Sequence, residues 1–290
     1  ASLLDSAHTY LRDYTGLGVF GVIPYLHDLG LPEEDSVSFK GGGYDRPRPD
    51  IPHIEIVVVS LPHISNFTDL EPFLDEPDVH LRIISRAADL GQPDAVILPG
   101  SKNVMGDLHF LRDNDFFGSL TRLAEAGCEI VGICGGYQML GKSVQDPLRL
   151  ESSAPESAGL GLLDIITELK EHKTLTRRMG KHLQSGLVVK GYEIHHGISS
   201  SHLPSALVFE EDICCGAVGR EGRIWGSYLH GIFDQDEFRR WFVDGLRQRK
   251  GLAPMAAILA PYDLESAFDR LADKVRENLD MPAIYELLKL

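Results

Sequence analysis

The chain has 290 residues, of which 43% are hydrophobic and 24% are charged, and its formal net charge is −15. A chain of this length can bury the core of one large domain or two modest ones without disulfide staples. The acidic balance argues against a nucleic-acid groove and against docking on anionic membranes, because both need a basic face. We therefore expect neither a nucleic acid nor a membrane as a partner.

The cysteines and the start of the chain suggest the compartment. No C-x-x-C pair or zinc-ligand spacing occurs among Cys128, Cys134, Cys214 and Cys215. We therefore expect a reduced cytoplasmic protein without a metal site. The first residues, Ala1-Ser2-Leu3-Leu4, lack the plan of a signal peptide and an initiator Met. This beginning indicates a fragment of a longer chain.

The first 50 residues have little regular pattern. Residues 1–25 contain one strand-like run, Gly18 to Ile23, closed by Pro24. A single strand cannot bury itself, so this run must pair with another segment. Residues 26–50 are rich in turn formers, including the Gly41-Gly42-Gly43 triplet, and are predicted to be a linker.

From residue 51 the pattern becomes that of alternating strands and helices. Short apolar runs occur at Ile54–Val59, Leu81–Ile84, Ala95–Leu98 and Ile130–Ile133. Such runs are typical of strands covered on both faces of a parallel sheet. A helical stripe of Phe117, Leu120, Leu123 and Ala124 lies between the last two runs. The sequence therefore predicts a doubly wound α/β fold.

After residue 160 the chain is predicted to be strand-rich and then helical. The expected strands are 162–169, 186–194, 213–218 and 223–229. Amphipathic helices are expected from Gln235 to Gln248 and from Glu265 to Leu279. We assign residues 51–250 to one domain and residues 251–290 to a C-terminal helical extension.

Chemistry is indicated at Cys134, which follows an apolar strand and precedes Gly135-Gly136 and a helix-like run. This is the layout of a nucleophile elbow with Cys in place of Ser. Glycines remove the Cβ atoms that would clash at such a sharp turn, and the N-terminus of the following helix favours a thiolate. The N–H of Gly135 would face a developing oxyanion. A buried structural cysteine is the alternative interpretation.

A thiol nucleophile needs a base, and three histidines qualify. His230 follows an apolar strand and precedes a turn, and His195 and His196 lie in the Tyr192–Gly197 segment. Spacing alone does not choose among them. Gly100, at the end of another strand, could offer a second backbone N–H to the oxyanion.

Six separated segments resemble the class I glutamine amidotransferase superfamily and, within it, the cobyric acid synthase branch. Four of them correspond to the nucleophile, the histidine, the oxyanion loop and the glutamine pocket: GICGGYQMLG, SYLHGIF, LPGSKN and GYEIHHG. The branch-specific segments are LPHISNFTD at residues 61–69 and the stretch from Val22 to Ser36. The resemblance spans roughly residues 18–285 and implies a flavodoxin-like, mostly parallel sheet.

The resemblance also implies roles for single residues. Cys134 would be the nucleophile and His230 its base, with Gly100 and Gly135 at the oxyanion. The residues implied to bind L-glutamine are Gln138, Tyr192, Glu193 and His195.

One position departs from the wider superfamily. Many members carry His-x-Glu, in which the glutamate orients the histidine, but Ile232 stands at that position here. We therefore expect a Cys–His dyad with low glutaminase activity on its own. Glu193 or a backbone carbonyl is the suggested partner of His230.

The resemblance implies a larger enzyme than this chain. A synthetase domain upstream, of which residues 1–25 would be the tail, would use ATP and Mg²⁺ to amidate carboxylates of a corrin substrate, cobyrinic acid a,c-diamide. This chain alone is expected to bind no cofactor, since it lacks a P-loop. The alternatives are a glutaminase subunit of a related enzyme (cobyrinate diamide synthase or a cell-wall lipid II amidase), a cysteine peptidase on the same scaffold, and a binding module whose cysteine is vestigial.

Overall fold

A computed structural model describes residues 4–26, 31, 44 and 46–289 of the chain. Most of the predicted linker, with its glycine triplet 41–43, lies outside the described residues. The chain divides into two compact units, residues 1–32 with 263–290, and residues 33–262.

The larger unit contains all the described strands and four of the described α-helices. The strands are β1 (Ile54–Val59), β2 (Ile64–Ser65), β3 (Val79–Ile84), β4 (Ala95–Leu98), β5 (Gly100–Ser101), β6 (Glu129–Ile133), β7 (Ser143–Gln145), β8 (Glu156–Ala158), β9 (Ile165–His182), β10 (Val188–Ser201), β11 (Leu207–Phe209), β12 (Cys214–Cys215), β13 (Ala217–Gly219), β14 (Ile224–Ser227) and β15 (Leu229–His230). The α-helices of the described residues are α1 (Asp5–Thr15), α2 (Val104–Asp113), α3 (Phe116–Glu125), α4 (Gly135–Met139), α5 (Asp236–Arg249), α6 (Leu264–Asn278) and α7 (Met281–Leu288).

The central sheet has the strand order β13-β14-β6-β4-β1-β3, and only the edge strand β13 is antiparallel. Its five parallel strands follow the 2-1-3-4-5 order of flavodoxin-like folds. Strands β4 and β6 are buried along their whole length, as their near-continuous apolar runs require. The predicted α/β, flavodoxin-like fold class is confirmed, and the carboxyl ends of the parallel strands meet at one edge.

A second sheet carries the long hairpin of β9 and β10. Its strand order is β12-β11-β9-β10-β15, with β7 beside β9 and β8 beside β7. Both hairpin strands run well past the segments predicted for them. The outer part of β9 was missed because residues 170–181 lack the apolar alternation on which the prediction relied. The predicted strand 213–218 is divided into β12 and β13 at Gly216, whose φ is 76°.

The smaller unit contains α1, α6 and α7. The strand predicted from Gly18 to Ile23 is wrong, because this run forms only an isolated bridge between Gly21 and Leu279. Its apolar side chains Val19, Val22 and Ile23 are exposed, so burial does not stabilise an extended strand there. The two amphipathic helices predicted near the C-terminus are confirmed as α5 and α6. None of the described helices is long and apolar enough to cross a membrane.

Candidate active site

Cys134 occupies a strained turn between β6 and α4. Its φ of 51° and ψ of −105° lie outside the regions that non-glycine residues favour. A Cβ on Gly136 would lie 1.9 Å from the Leu98 carbonyl oxygen, and one on Gly132 would lie 2.6 Å from the Tyr137 nitrogen. The flanking glycines are therefore required by close backbone approach, as expected for a nucleophile elbow.

The turn opens on a cavity of about 200 Å³. Its lining residues are Ser65, Asn66, Ser101, Lys102, Val104, Cys134, Gly135, Gln138, Glu151, Leu169, Lys173, Ile194, His195 and His196. The Cys134 sulfur lies 3.6 Å from the Ile194 carbonyl oxygen. This volume is below the 300–1,000 Å³ of drug-sized pockets, so the cavity suits a small metabolite.

The imidazole of His230 is held by a carboxylate that the sequence did not identify. Nδ1 of His230 lies 2.7 Å from Oδ2 of Asp69, and the Gly231 N–H donates to Oδ1 at 2.7 Å. Both side chains are buried. Since a carboxylate only accepts, Nδ1 carries the proton and Nε2 is directed elsewhere.

This contact corrects the expectation of a dyad without a carboxylate. Ile232 is buried and apolar as the sequence implies, but Asp69, in the short 3₁₀ segment Phe67–Phe73 after β2, takes the place of the missing glutamate. Glu193, suggested as the partner, instead accepts from Nε of Arg178 at 2.7 Å.

The electrostatics of His230 follow from this pairing. Burial alone would lower the pKa of the ring, but the Asp69 carboxylate and the nearby Cys134 thiol outweigh burial and raise the pKa to about 10. Nε2 is buried and makes no geometrically regular hydrogen bond, although the sulfur lies close enough to affect the pKa. The arrangement therefore favours an imidazolium beside the thiol at neutral pH.

Tyr192 supports His230 and does not line the cavity. Its ring stacks on the imidazole at 5.2 Å between centroids, and its hydroxyl accepts from the Asn66 amide at 2.6 Å. The two residues face each other in the pairing of β10 with β15. Of the residues predicted to bind glutamine, Tyr192 and Glu193 therefore lie behind the cavity wall.

Gln138 and His195 do line the cavity, and a glycine makes room for the first. Gln138 is buried, and its Oε1 has no hydrogen-bond partner within the described part of the chain. A Cβ on Gly197 would lie 2.2 Å from Nε2 of Gln138. Gly197, the last glycine of the GYEIHHG segment, is thus required because the side chain of Gln138 occupies the space that a Cβ would need.

The other two histidines have different surroundings. His195 stacks on Tyr228 at 3.7 Å, and burial lowers the pKa of its ring. Nδ1 of His196 donates to the Lys170 carbonyl at 3.1 Å. Oε1 of Glu193 lies 4.0 Å from Nε2 of His195, and among the described residues neither ring has a carboxylate at hydrogen-bonding distance. The geometry therefore favours His230 as the base.

The predicted oxyanion residues lie next to each other around the nucleophile. A Cβ on Gly135 would lie 2.8 Å from the Ser101 nitrogen, and one on Gly100 would lie 3.0 Å from Cε1 of His230. The Gly100–Ser101 strand therefore passes directly against the elbow. The N–H of Gly135 begins α4 and has no acceptor within that helix.

Charged side chains that the sequence did not single out also line the cavity: Lys102, Glu151 and Lys173. Glu151 accepts from the Met105 N–H at 3.1 Å, and burial raises the pKa of its carboxyl. Its loop is fixed by Asp146, which accepts from the N–H groups of residues 150–152. No group of His, Cys, Asp and Glu among the described residues is arranged to hold a metal ion.

Comparisons with known proteins give the relatives of this chain. The family described as the CobB/CobQ-like glutamine amidotransferase domain matches residues 55–238. The cobyric acid synthase of Nitratidesulfovibrio vulgaris is 43% identical over all of this chain and 61% of its own length. The adenosylcobalamin biosynthesis bifunctional protein CobDQ of Leptospira interrogans is also 43% identical, over 99% of this chain and 34% of its own length.

This chain therefore spans only part of the curated relatives it matches. Among solved structures, one described as a glutamine amidotransferase aligns with 67% of this chain and 98% of its own, with a TM-score of 0.51 at 15% identity. That likeness concerns the fold.

Replacing Asp69 with Asn should change how stability depends on pH. Between the ordinary pKa of 6.5 and the raised pKa of about 10, folded His230 holds a proton that the unfolded chain has lost. Its stabilisation is therefore complete below pH 6.5 and declines as the pH rises toward 10. The free energy of unfolding, measured in urea, should fall from pH 6 to pH 9 by a larger amount in the parent than in Asp69→Asn. The two decreases should differ by more than about 1 kcal/mol. Equal losses would contradict the pairing.

Proposed function

Since the chain belongs to the family of CobB/CobQ-like glutamine amidotransferase domains, we propose that residues 51–250 hydrolyse L-glutamine with Cys134 as nucleophile and His230 as acid and base. The observation that carries the proposal is the burial of His230 between the Asp69 carboxylate and the Cys134 elbow. Residues 251–290 are assigned to a C-terminal extension and residues 1–25 to the tail of a synthetase domain.

The first half of the reaction forms a thioester. The Cys134 thiolate adds to the side-chain amide carbon of glutamine, and the carbonyl oxygen becomes an oxyanion facing the backbone N–H groups of Gly135 and Gly100. The C–N bond then breaks, and His230 gives its Nε2 proton to the departing nitrogen, which leaves as ammonia. Asp69 keeps Nε2 directed at the reacting atoms and stabilises the imidazolium.

The second half regenerates the enzyme. Neutral His230 takes a proton from water, whose oxygen attacks the thioester carbon. The C–S bond breaks, glutamate leaves, and Cys134 returns as a thiolate beside the imidazolium. The strained turn at Cys134 supports this role because it holds the sulfur in a fixed position, both when the thiolate attacks the amide carbon and when water attacks the thioester.

We assign recognition of the free amino acid to the charged residues of the cavity. Glu151, fixed by the Met105 N–H, suits the α-ammonium group of glutamine, while Lys102 and Lys173 suit its α-carboxylate. Gln138 supports binding of the side-chain amide, since its buried Oε1 is without a protein partner. A cavity with charges of both signs and about 200 Å³ favours a free amino acid over a peptide chain.

The wider role we propose is that of the glutamine-hydrolysing part of a cytoplasmic cobyric acid synthase. The 43% identity to such an enzyme over the whole chain supports this choice over a related amidating enzyme. The ammonia would amidate carboxylates of cobyrinic acid a,c-diamide in a synthetase part that uses ATP and Mg²⁺. That part is assigned to sequence outside this chain, because the match covers only 61% of the length of the Nitratidesulfovibrio vulgaris relative.

The nucleophile assignment is tested by Cys134→Ser beside Cys214→Ser, which alters an exposed cysteine outside the cavity. Glutamate release should fall by roughly 10³-fold or more in the first variant, because a hydroxyl is a far weaker nucleophile here. It should be unchanged in the second. A diazo-ketone analogue of glutamine should label the parent and Cys214→Ser but not Cys134→Ser. Near-parental turnover by Cys134→Ser would refute the proposal.

The role of Glu151 is tested by Glu151→Gln, which keeps the shape and removes the charge. A lost charged hydrogen bond of 1.5–3 kcal/mol should raise KM for glutamine by about 10- to 100-fold with little change in kcat. Glutaramate, which lacks the α-amino group, should be hydrolysed equally by the parent and the variant. If Glu151→Gln preferred glutamine over glutaramate by the same factor as the parent, Glu151 would not be the residue that binds the α-ammonium group.

A further inference from the structure

The outer half of the hairpin of β9 and β10 carries a concentration of positive charge. Residues 172–192 contain no Asp or Glu, and they contain Lys173, Arg177, Arg178, Lys181 and Lys190. The whole chain carries a net charge of −15. A cationic segment of this kind in an acidic protein is a local feature and does not follow from composition.

The pairing of β9 with β10 places most of these side chains on one face. Arg177 pairs with Tyr192, Met179 with Lys190, and Lys181 with Val188, and paired residues of an antiparallel hairpin share a face. We call this surface the arm face. It consists of Lys173, Leu175, Arg177, Met179, Lys181, Val188 and Lys190.

The arm face exposes apolar as well as charged groups. The side chains of Leu175, Met179 and Val188 are 72%, 51% and 53% exposed. A cationic run is usually just a solvated surface, but a solvated surface does not need three large apolar side chains between its charges. The combination is typical of a surface that another protein covers.

The cations of the arm face have no carboxylate partners among the residues that the structure describes. Arg178, on the opposite face, pairs with Glu193. Lys173, Arg177, Lys181 and Lys190 form no such pair with any described residue. Lys173 is assigned to the α-carboxylate of bound glutamine, and the charges of Arg177, Lys181 and Lys190 remain available to an external carboxylate.

The arm face is continuous with the active-site cavity. Lys173, at one end of the face, lines the cavity, and so does Ile194, which pairs with Leu175. Tyr192, which pairs with Arg177, stacks on His230. A protein seated on the arm face would therefore lie beside the cavity that contains Cys134.

We infer that the arm face is the docking surface for the ammonia-consuming part of the synthase, through a surface of that part that carries carboxylates and apolar side chains. The inference rests on the proposed function, because only a glutaminase has ammonia to deliver. The occupant is indicated by two facts: the arm face adjoins the cavity, and about two fifths of the length of the relative from Nitratidesulfovibrio vulgaris lies outside its match to this chain. Charge attraction would hold the consuming site over the cavity and limit escape of ammonia to solvent.

The test uses the complete synthase polypeptide with corrin diamide, ATP, Mg²⁺ and glutamine. Arg177→Glu with Lys181→Glu reverses two charges of the arm face outside the cavity. Arg122→Glu with Arg220→Glu is the matched control, since both residues are exposed and distant in sequence from the hairpin. The readout is the number of amides formed per glutamate released, with amidation driven by ammonium chloride as a second measurement.

In the arm-face variant we expect this ratio to fall on the order of five-fold, as the loss of two interfacial charge pairs would produce. Glutamate release and ammonium-driven amidation should be unchanged, and the control should keep the parental ratio. An unchanged ratio in the arm-face variant, or an equal fall in the control, would overturn the inference.

Other occupants give other results. If the arm-face variant instead dissociated a dimer of the isolated chain in sedimentation, the occupant would be a second copy, and the inference would be wrong. Loss of binding to a single-stranded oligonucleotide would also overturn it. Absence of glutamate release from the parent would remove the proposed function itself, which distinguishes the two failures.

Discussion

The candidate site depends on the pairing of Asp69 with His230 across 161 positions of sequence. The carboxylate binds both the imidazole Nδ1 and the Gly231 N–H, so it fixes the ring and the backbone that carries it. Asn66, three residues before Asp69, binds the hydroxyl of Tyr192, whose ring stacks on His230. The loop after β2, the strand β10 and the strand β15 are thereby held in one arrangement, and a buried charged ring is stabilised beside the thiol.

Glycines determine how closely these parts approach. A Cβ on Gly191 would lie 1.9 Å from the His230 carbonyl oxygen, and Gly197 leaves the space that Gln138 fills. Gly136 leaves the space that the backbone carbonyl of Leu98 occupies behind the nucleophile. The glycines of the nucleophile and GYEIHHG segments therefore have one physical explanation, which is that main chain or side chain of another segment occupies the position of their Cβ.

The sequence predicted what depends on local pattern. The parallel strands, α5 and the Cys134 elbow are readable because burial on both faces and tight turns restrict residue types locally. Asp69 lies in the LPHISNFTD segment that carries part of the family resemblance. Its partner His230 is 161 positions away, so no local pattern in the sequence marks the two residues as a pair. Glu193 was suggested as the partner of His230, and the structure pairs it with Arg178 instead. The hairpin was predicted too short because its outer part is exposed to solvent and has no apolar alternation.

The dependence of catalysis on the pairing of Asp69 with His230 is tested by the rate of glutamate release by Asp69→Asn at saturating glutamine. The variant keeps the shape of the side chain but no longer provides a charged acceptor for Nδ1. We expect kcat to fall by roughly 10²-fold or more, as when a catalytic histidine loses the carboxylate that orients it. Asp234→Asn, which alters a neighbouring carboxyl that makes no hydrogen bond to the ring, should keep the parental rate. If Asp69→Asn turned over as fast as Asp234→Asn, the Asp69 carboxylate would have no role in orienting His230 for catalysis.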